Sequence, residues 1–339
     1  MPRTPVWAEL PVLPAIEMVP LVQSWEAAGV EGVWAPQIFG APFTTLAAAA
    51  AVTTRIKLGT GIALAFTRSP LETACSAIDL DHISDGRVVL GLGSSAESQI
   101  EGSFGMPYGK PLKHMREIVG QVRAVIEQGH TGELKRLEGE YNTLDLSHFR
   151  LVRPPRRPAI PIYLPAVFEK ACEQAGAIAD GLLGHPLWTT AWLRDRVGQS
   201  LALGLDKAGR KRSEVTINLM IFTVINDNRA EAIADARTNI AFYTQSPQYL
   251  RYFAEIGFGK EAEAIQAAFA VQDYGAMAKA CPDEMISAIT ILGSADEVQE
   301  QVAERAQYAD AITPVVPQFG VAPEKAAIYR KRIADVFYI

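Results

Sequence analysis

The chain has 339 residues, of which 49% are hydrophobic and 21% are charged, and its formal net charge is −6. A chain of this length and apolar content can bury one large core, which excludes a disordered or fibrous protein. The acidic charge is spread over many short runs without a basic stripe, so neither nucleic acid nor an anionic membrane is expected as a partner.

The spacing of the cysteines and the length of the apolar runs indicate in which cellular compartment the protein is expected. Cys75, Cys172 and Cys281 lie far apart in the chain, which supports neither a disulfide framework nor a bound metal. The N-terminus lacks a secretory pattern, and no apolar run reaches the roughly 18 residues of a membrane span. We therefore expect a soluble, cytoplasmic protein.

The N-terminal part of the chain alternates between predicted strands and predicted helices. Continuous apolar runs predict strands at 6–10, 32–36, 56–64 and 87–93. The segments between them repeat apolar residues at helical spacing, and one such helix begins at Ser69-Pro70 and ends at Asp85-Gly86. Each connection is long enough for the crossover of a parallel strand pair.

The alternation continues to the end of the chain, with two interruptions. Further strands are predicted at 161–167, 181–187, 215–225 and 311–317. The segment 129–158 predicts a small hairpin and an extended proline stretch, and 246–284 predicts short helices that serve either as a lid or as packing. Eight strands favour a single-domain α/β chain over 1–339 with a closed (β/α)₈ TIM barrel, rather than an open doubly wound sheet.

In such a barrel, the functional site lies at the C-terminal ends of the strands. The chain contains no nucleophile elbow, no His-Glu-x-x-His pair and no P-loop, which argues against the corresponding hydrolases, against zinc and against nucleotide triphosphates. The polar residues that follow the predicted strands are Gln37, Arg68, Ser94, Ser95, Glu97 and His185.

Three of these residues have a functional and a structural interpretation. Arg68 would pair either with an anionic cofactor tail or with a neighbouring loop. Glu97 would act as an acid or a base, or would be a solvated surface residue. His185 would bind a phosphate or donate a proton, or would be a structural hydrogen-bonding residue. The residue types alone leave these alternatives open.

Three motifs carry a resemblance to a known family. They are Leu-Gly-Thr-Gly-Ile at 58–62, Thr-Arg-Ser-Pro at 67–70 and Leu-Asp-His-Ile-Ser-Asp-Gly-Arg followed by Val-Val-Leu-Gly-Leu-Gly-Ser at 80–94. The chain resembles the luciferase-like monooxygenase superfamily over nearly its whole length. The segments 100–107, 185–187 and 283–293 resemble the branch of coenzyme F420-dependent oxidoreductases.

This resemblance implies a cofactor site. Members of the superfamily bind a flavin or deazaflavin ring on a bulge after the third strand that often contains a non-proline cis peptide, here Gly61-Ile62. The cofactor tail in relatives meets the loops after the fourth and fifth strands. The resemblance thus assigns cofactor binding to Gly61, Ile62, Ser94, Ser95, Pro165, Ala166 and Val167, to which the strand-end analysis adds Arg68 and His185. It also implies a homodimer.

The sequence departs from the family pattern after two of the predicted strands, the second and the fifth. Several relatives carry Asp, Glu or His after the second strand, where this chain has the neutral Gln37. Relatives are often glycine-rich after the fifth strand, where this chain has Val167 and Phe168. The catalytic candidates are Gln37, Glu97 and His185.

The leading functional hypothesis is hydride transfer between coenzyme F420 and a small organic substrate. The first alternative is a monooxygenase that uses reduced FMN and consumes oxygen. The second is a barrel without catalytic activity that serves as a binding or assembly subunit. If Gly61 supports the cofactor ring, Gly61→Val is expected to weaken cofactor binding by about 2 kcal/mol or more, with only a modest loss of stability if the surrounding strand still pairs.

Overall fold

The structure is a computed structural model that describes residues 4–338. The strands are β1 (Trp7–Glu9), β2 (Gly32–Ala35), β3 (Lys57–Thr60), β4 (Ala63–Leu64), β5 (Val88–Gly93), β6 (Arg136–Leu137), β7 (Leu144–Asp145), β8 (Ile162–Ala166), β9 (Gly181–Gly184), β10 (Thr216–Ile225), β11 (Ile291–Gly293) and β12 (Ala311–Val315).

The α-helices are α1 (Ala15–Ala27), α2 (Pro42–Ala50), α3 (Pro70–Ile83), α4 (Pro111–Gln128), α5 (Glu169–Ile178), α6 (Thr190–Trp192), α7 (Gly198–Ala208), α8 (Arg229–Thr244), α9 (Leu250–Glu255), α10 (Gly259–Ala270), α11 (Tyr274–Lys279), α12 (Asp283–Ile289), α13 (Ala295–Ala306) and α14 (Pro323–Phe337). Short 3₁₀ turns lie at Ala65–Thr67, Arg212–Glu214 and Pro247–Tyr249, and π-helical turns at Ser98–Ser103 and Leu193–Val197. Within the described part of the chain, no helix is long and apolar enough to cross a membrane.

The described residues form two compact units. The N-terminal unit comprises Trp7–Leu183 and Ser200–Thr216, and the C-terminal unit comprises 4–6, Gly184–Gln199 and 217–338. In the N-terminal unit, the strand order is β1, β2, β3, β5, β8, β9. The pairs β1–β2, β2–β3, β3–β5 and β5–β8 are parallel, as helical crossovers require.

The C-terminal unit is also built on parallel strands. Strand β10 pairs with β11 through its C-terminal end and with β12 through its middle. Helix α8 begins with an Asn228 cap, whose side chain accepts a hydrogen bond from the backbone N–H of Glu231. The segment 246–284, predicted as short helices, consists of a 3₁₀ turn, α9, α10, α11 and the start of α12.

The family motif at 80–94 contains a structural ion pair that holds the start of β5. The Asp81 side chain is almost fully buried, and the Arg157 guanidinium donates to it through Nε at 3.0 Å and Nη2 at 2.7 Å. The same carboxylate accepts the backbone N–H of Val88 at 3.2 Å. This pair lies at the N-terminal end of β5, opposite to the strand end at which a ligand is expected.

The α/β class, the parallel strands and the hairpin in 129–158 are confirmed, since β6 and β7 pair in antiparallel fashion. Two details of the predicted elements are wrong. The third predicted strand is divided into β3 and β4, and the short β11 was not predicted. Closure of an eight-stranded barrel and a single domain over the whole chain stay predictions.

Candidate functional site

The bulge between β3 and β4 has the backbone that the resemblance predicts. The peptide bond between Gly61 and Ile62 is cis. The Gly61 N–H donates to the Ala35 carbonyl oxygen at 2.9 Å, which ties the bulge to the end of β2. A Cβ atom added at Gly61 would lie 2.6 Å from the Trp34 Cβ, so packing against Trp34 excludes a side chain at this position.

Three strand ends meet at Gly93, the last residue of β5. A Cβ atom added there would overlap the Ile62 Cδ1 atom and would lie 3.0 Å from the Pro165 Cγ atom. Strand β4 pairs with the same end of β5, with Leu64 opposite Gly93. The predicted cofactor residues Ile62 and Pro165 are therefore brought together over Gly93, immediately before Ser94.

The loop after β5 is held by side-chain hydrogen bonds. Ser95 has a φ of +58°, a left-handed conformation that is uncommon outside glycine. The Ser95 hydroxyl donates to the Gln99 Oε1 atom, and the Gln99 Nε2 atom donates to the Ile38 carbonyl oxygen at 3.0 Å. The Tyr108 hydroxyl donates to the Ser95 carbonyl oxygen at 3.0 Å. Tyr108 thus belongs to the site, and sequence analysis did not identify it.

A second residue that sequence analysis missed is His114, which positions Tyr108. The His114 ring stacks between Phe66 and Tyr141, with ring centroids 4.0 and 4.3 Å away. Its Nδ1 atom lies 3.1 Å from the Tyr108 carbonyl oxygen, and its Nε2 atom lies 3.2 Å from Asn142 Nδ2. Since the carbonyl accepts and the amide donates, the proton is on Nδ1. The only sequence signal is the inward-facing periodicity of α4.

Gln37 and Arg68 form one hydrogen-bonded group beside the bulge. The Gln37 Oε1 atom accepts from the Leu64 backbone N–H at 2.9 Å and from Arg68 Nη2 at 3.2 Å. The Arg68 Nε atom lies 3.2 Å from Glu72, and its guanidinium lies over the Phe43 ring at 5.5 Å. Gln37 therefore acts here as a structural acceptor that orients Arg68.

The Arg68 guanidinium is largely buried, which affects both its pKa and its hydrogen bonding. Its side chain is 13% exposed, and burial lowers the pKa of the guanidinium from its ordinary value, against the opposing effect of Glu72. Its Nη1 atom is buried and has no hydrogen-bond partner among residues 4–338. Arg68 thus keeps a cationic group beside the bulge with spare donor capacity.

The remaining predicted residues of the N-terminal unit differ in their surroundings. Ala166 ends β8 and is buried, whereas Val167 is partly exposed just before α5. Glu97 is exposed at the start of the π-helical turn. No three His, Cys, Asp or Glu side chains in the described chain are grouped so that they could hold a metal ion.

His185 belongs to the C-terminal unit, directly after β9. Its Nδ1 atom accepts the Leu187 backbone N–H at 3.3 Å, which places the proton of the neutral ring on Nε2, 3.2 Å from the Tyr249 hydroxyl. Burial lowers the pKa of His185 to about 4 and raises the pKa of Tyr249 to about 12. Both groups are therefore neutral at pH 7, although both keep some exposed surface.

The chain belongs to the luciferase-like monooxygenase family, because the model of that family matches residues 3–311. An uncharacterized protein of Mycobacterium tuberculosis is 33% identical over 295 residues, which cover 86% of this chain and 87% of that protein. The 5,10-methylenetetrahydromethanopterin reductase of Archaeoglobus fulgidus is 30% identical over 291 residues, 84% of this chain and 82% of the enzyme. The predicted family is thus confirmed.

The fold is shared with a solved structure. The coenzyme F420-dependent tetrahydromethanopterin reductase from Methanopyrus kandleri superimposes with a TM-score of 0.80 over 98% of both chains, at 24% identity. At this identity the likeness supports the fold and leaves the cofactor to be argued from the site.

Proposed function

We propose that this chain is an oxidoreductase that binds coenzyme F420 and transfers a hydride to or from a small organic substrate. The observation that carries the proposal is the convergence of Ile62 and Pro165 over Gly93, because it joins the bulge to two strand ends that the family resemblance assigns to one cofactor. The relative from Archaeoglobus fulgidus, named as a reductase, favours hydride transfer over oxygenation.

The residues of the N-terminal unit fit such a cofactor. Ile62 and Pro165 provide an apolar surface of the kind on which a flat ring rests. Ser94, Ser95 and Tyr108 provide hydroxyl groups for a polar tail, and Arg68 provides a positive charge for an anionic part of it. When bound, the deazaflavin would supply the hydride chemistry.

The chain's own residues then have distinct roles. Gln37 holds the Arg68 guanidinium and the Leu64 N–H in one arrangement, so we assign it a positioning role in place of proton transfer. Glu97 is solvated and keeps an acid–base role only as a prediction. In the C-terminal unit, the neutral His185 donates to the Tyr249 hydroxyl, and we assign it the role of orienting that hydroxyl.

Equilibrium titration with F420 and with FMN, each followed by fluorescence, tests the proposal. We expect F420 to bind and Ile62→Ala to weaken its affinity by about tenfold, because the apolar surface beneath the ring is truncated. Ile328→Ala is the control, since Ile328 lies on α14 and is 51% exposed. Binding of FMN without binding of F420 would instead support the monooxygenase alternative, and binding of neither would support the non-catalytic barrel.

The substrate and the homodimer stay predictions. The Archaeoglobus fulgidus enzyme is named for a methylenetetrahydromethanopterin substrate, and we do not transfer that substrate to this chain. Light scattering of the purified protein decides between monomer and dimer.

A further inference from the structure

The helical layer of the N-terminal unit contains a groove of about 580 Å³ between α4, α5 and α7. None of the site residues described above lines it. Its charge differs from that of the chain as a whole, which is acidic. The charged side chains that line the groove are Lys113, Arg116, Lys170, Lys207 and Glu173, four cations and one carboxylate.

Glu173 arranges two of these cations. Its carboxylate lies 2.8 Å from the Lys170 Nζ atom through Oε2 and 2.5 Å from the Lys207 Nζ atom through Oε1. Hydrogen bonds from Lys170 and from Lys207 lower the pKa of Glu173 to about 2, so the carboxylate stays ionised at neutral pH. Each ammonium group carries three N–H donors, and one ion pair leaves the others available.

The backbone keeps these two lysines close together. A Cβ atom added at Gly204 would overlap the Glu173 carbonyl oxygen, so α5 and α7 are in direct backbone contact. Lys170 and Glu173 lie on α5, and Lys207 lies on α7. The spacing of the lysine pair is thus set by helix packing and does not depend on flexible loops.

Arg116 forms a second cationic centre in the groove. It is exposed, and it makes no hydrogen bond or ion pair with any residue in 4–338. Its neighbour Lys113 is paired with Glu140. The planar guanidinium of Arg116 is therefore free to bind a carboxylate or a phosphate in bidentate fashion.

We propose that this groove binds a small polyanion that carries at least two phosphate or carboxylate groups, one at Arg116 and one at the Lys170–Lys207 pair. A monoanion would satisfy only one of the two centres. A long nucleic acid is disfavoured because the groove is small and the surrounding protein is acidic. The inference does not depend on the redox cofactor.

Calorimetric titration at low ionic strength tests the proposal, with sodium pyrophosphate and sodium citrate as probes and acetate as the monoanion. We expect the polyanions to bind and acetate to bind at least about tenfold more weakly. The preferred probe indicates whether phosphate or carboxylate groups are recognised. Affinity should fall as salt is added, because the cations lie at the surface.

Two matched variants locate the binding site. Arg116→Glu should weaken the affinity for the better probe by about tenfold or more, whereas Arg116→Lys should retain most of it. Arg153→Glu makes the same charge change at an exposed arginine that does not line the groove, and it should have little effect. Lys207→Gln should also weaken binding, and thermal melting of every variant verifies folding.

The proposal is overturned by either of two results. The first is that neither polyanion binds the folded wild-type protein. The second is that Arg116→Glu and Arg153→Glu reduce binding equally, which would indicate a general effect of net charge.

Discussion

The Cβ atom of Trp34 faces Gly61 so closely that a methyl group added at residue 61 would lie 2.6 Å from it. Trp34 is fully buried and stacks on Trp7 with ring centroids 4.3 Å apart, so it has no room to move aside. This packing argues against the expectation that Gly61→Val lowers stability only modestly. Packing alone requires glycine here, whatever the bulge binds.

We predict that Gly61→Ala lowers the free energy of unfolding by about 1 to 3 kcal/mol, since the added methyl overpacks the core. Gly40→Ala is the control, because a Cβ atom at Gly40 meets no atom within 4 Å. Its effect should stay within about 0.5 kcal/mol in urea-induced unfolding. Equal unfolding free energies for the two variants would contradict the role assigned to Trp34.

The buried Asp81–Arg157 pair leads to a second prediction. Arg157→Ala leaves an uncompensated charge at Asp81, whose side chain is 1% exposed, and should cost about 3 to 5 kcal/mol of stability. Arg156→Ala breaks the neighbouring pair with Asp85, which is 78% exposed, and should cost at most about 1 kcal/mol. Chemical denaturation of both variants is the measurement. Similar losses would show that Asp81 is not buried as described.

The pKa of His185 predicts how stability depends on pH. The folded pKa of about 4 lies below the ordinary value of 6.5, so between these values the unfolded chain binds a proton that the folded chain does not. The contribution of the neutral His185 to the free energy of unfolding is therefore fully present above pH 6.5, and it is lost as the pH falls towards 4. Wild type should lose about 1 to 2 kcal/mol more than His185→Gln between pH 7 and pH 5. Parallel losses in the two proteins would contradict a buried neutral imidazole.

Tyr108 provides a fourth prediction, which depends on the proposed function. Tyr108→Phe removes the hydrogen bond to the Ser95 carbonyl and should weaken F420 binding by about 1 kcal/mol, roughly fivefold. Tyr274→Phe removes a hydroxyl from a residue that is 62% exposed on α11 and serves as the control. An unchanged affinity in a folded Tyr108→Phe protein would show that this hydrogen bond in the loop after β5 does not contribute to cofactor binding.

The elements that were predicted from the sequence are those with strong local patterns. A continuous apolar run identified β5, and the alternation of apolar residues over 215–225 identified β10. The Ser69-Pro70 start of α3 carries the predicted cap, in which the Ser69 hydroxyl accepts the Glu72 N–H. The strand β11 was missed because three residues between two helices are too few to show a period of two.

The parts of the site that were missed depend on contacts between distant residues. His114 is enclosed by Phe66 and Tyr141, which are far from it in the chain, and periodicity reports only that it faces inward. The same holds outside the site, since the partner of Asp81 at the opposite end of β5 lies 76 residues away. Gln37 was assigned to catalysis because of its position after β2, yet its role depends on the Leu64 N–H, which no local pattern indicates.

The most direct test of the central claim is a crystal structure of the protein with coenzyme F420. We predict that the deazaflavin ring lies against Ile62 and Pro165 and that the tail passes Ser94 and Ser95. Electron density for F420 at another place in the N-terminal unit, or crystals that bind FMN but not F420 at Ile62, would contradict the proposed function.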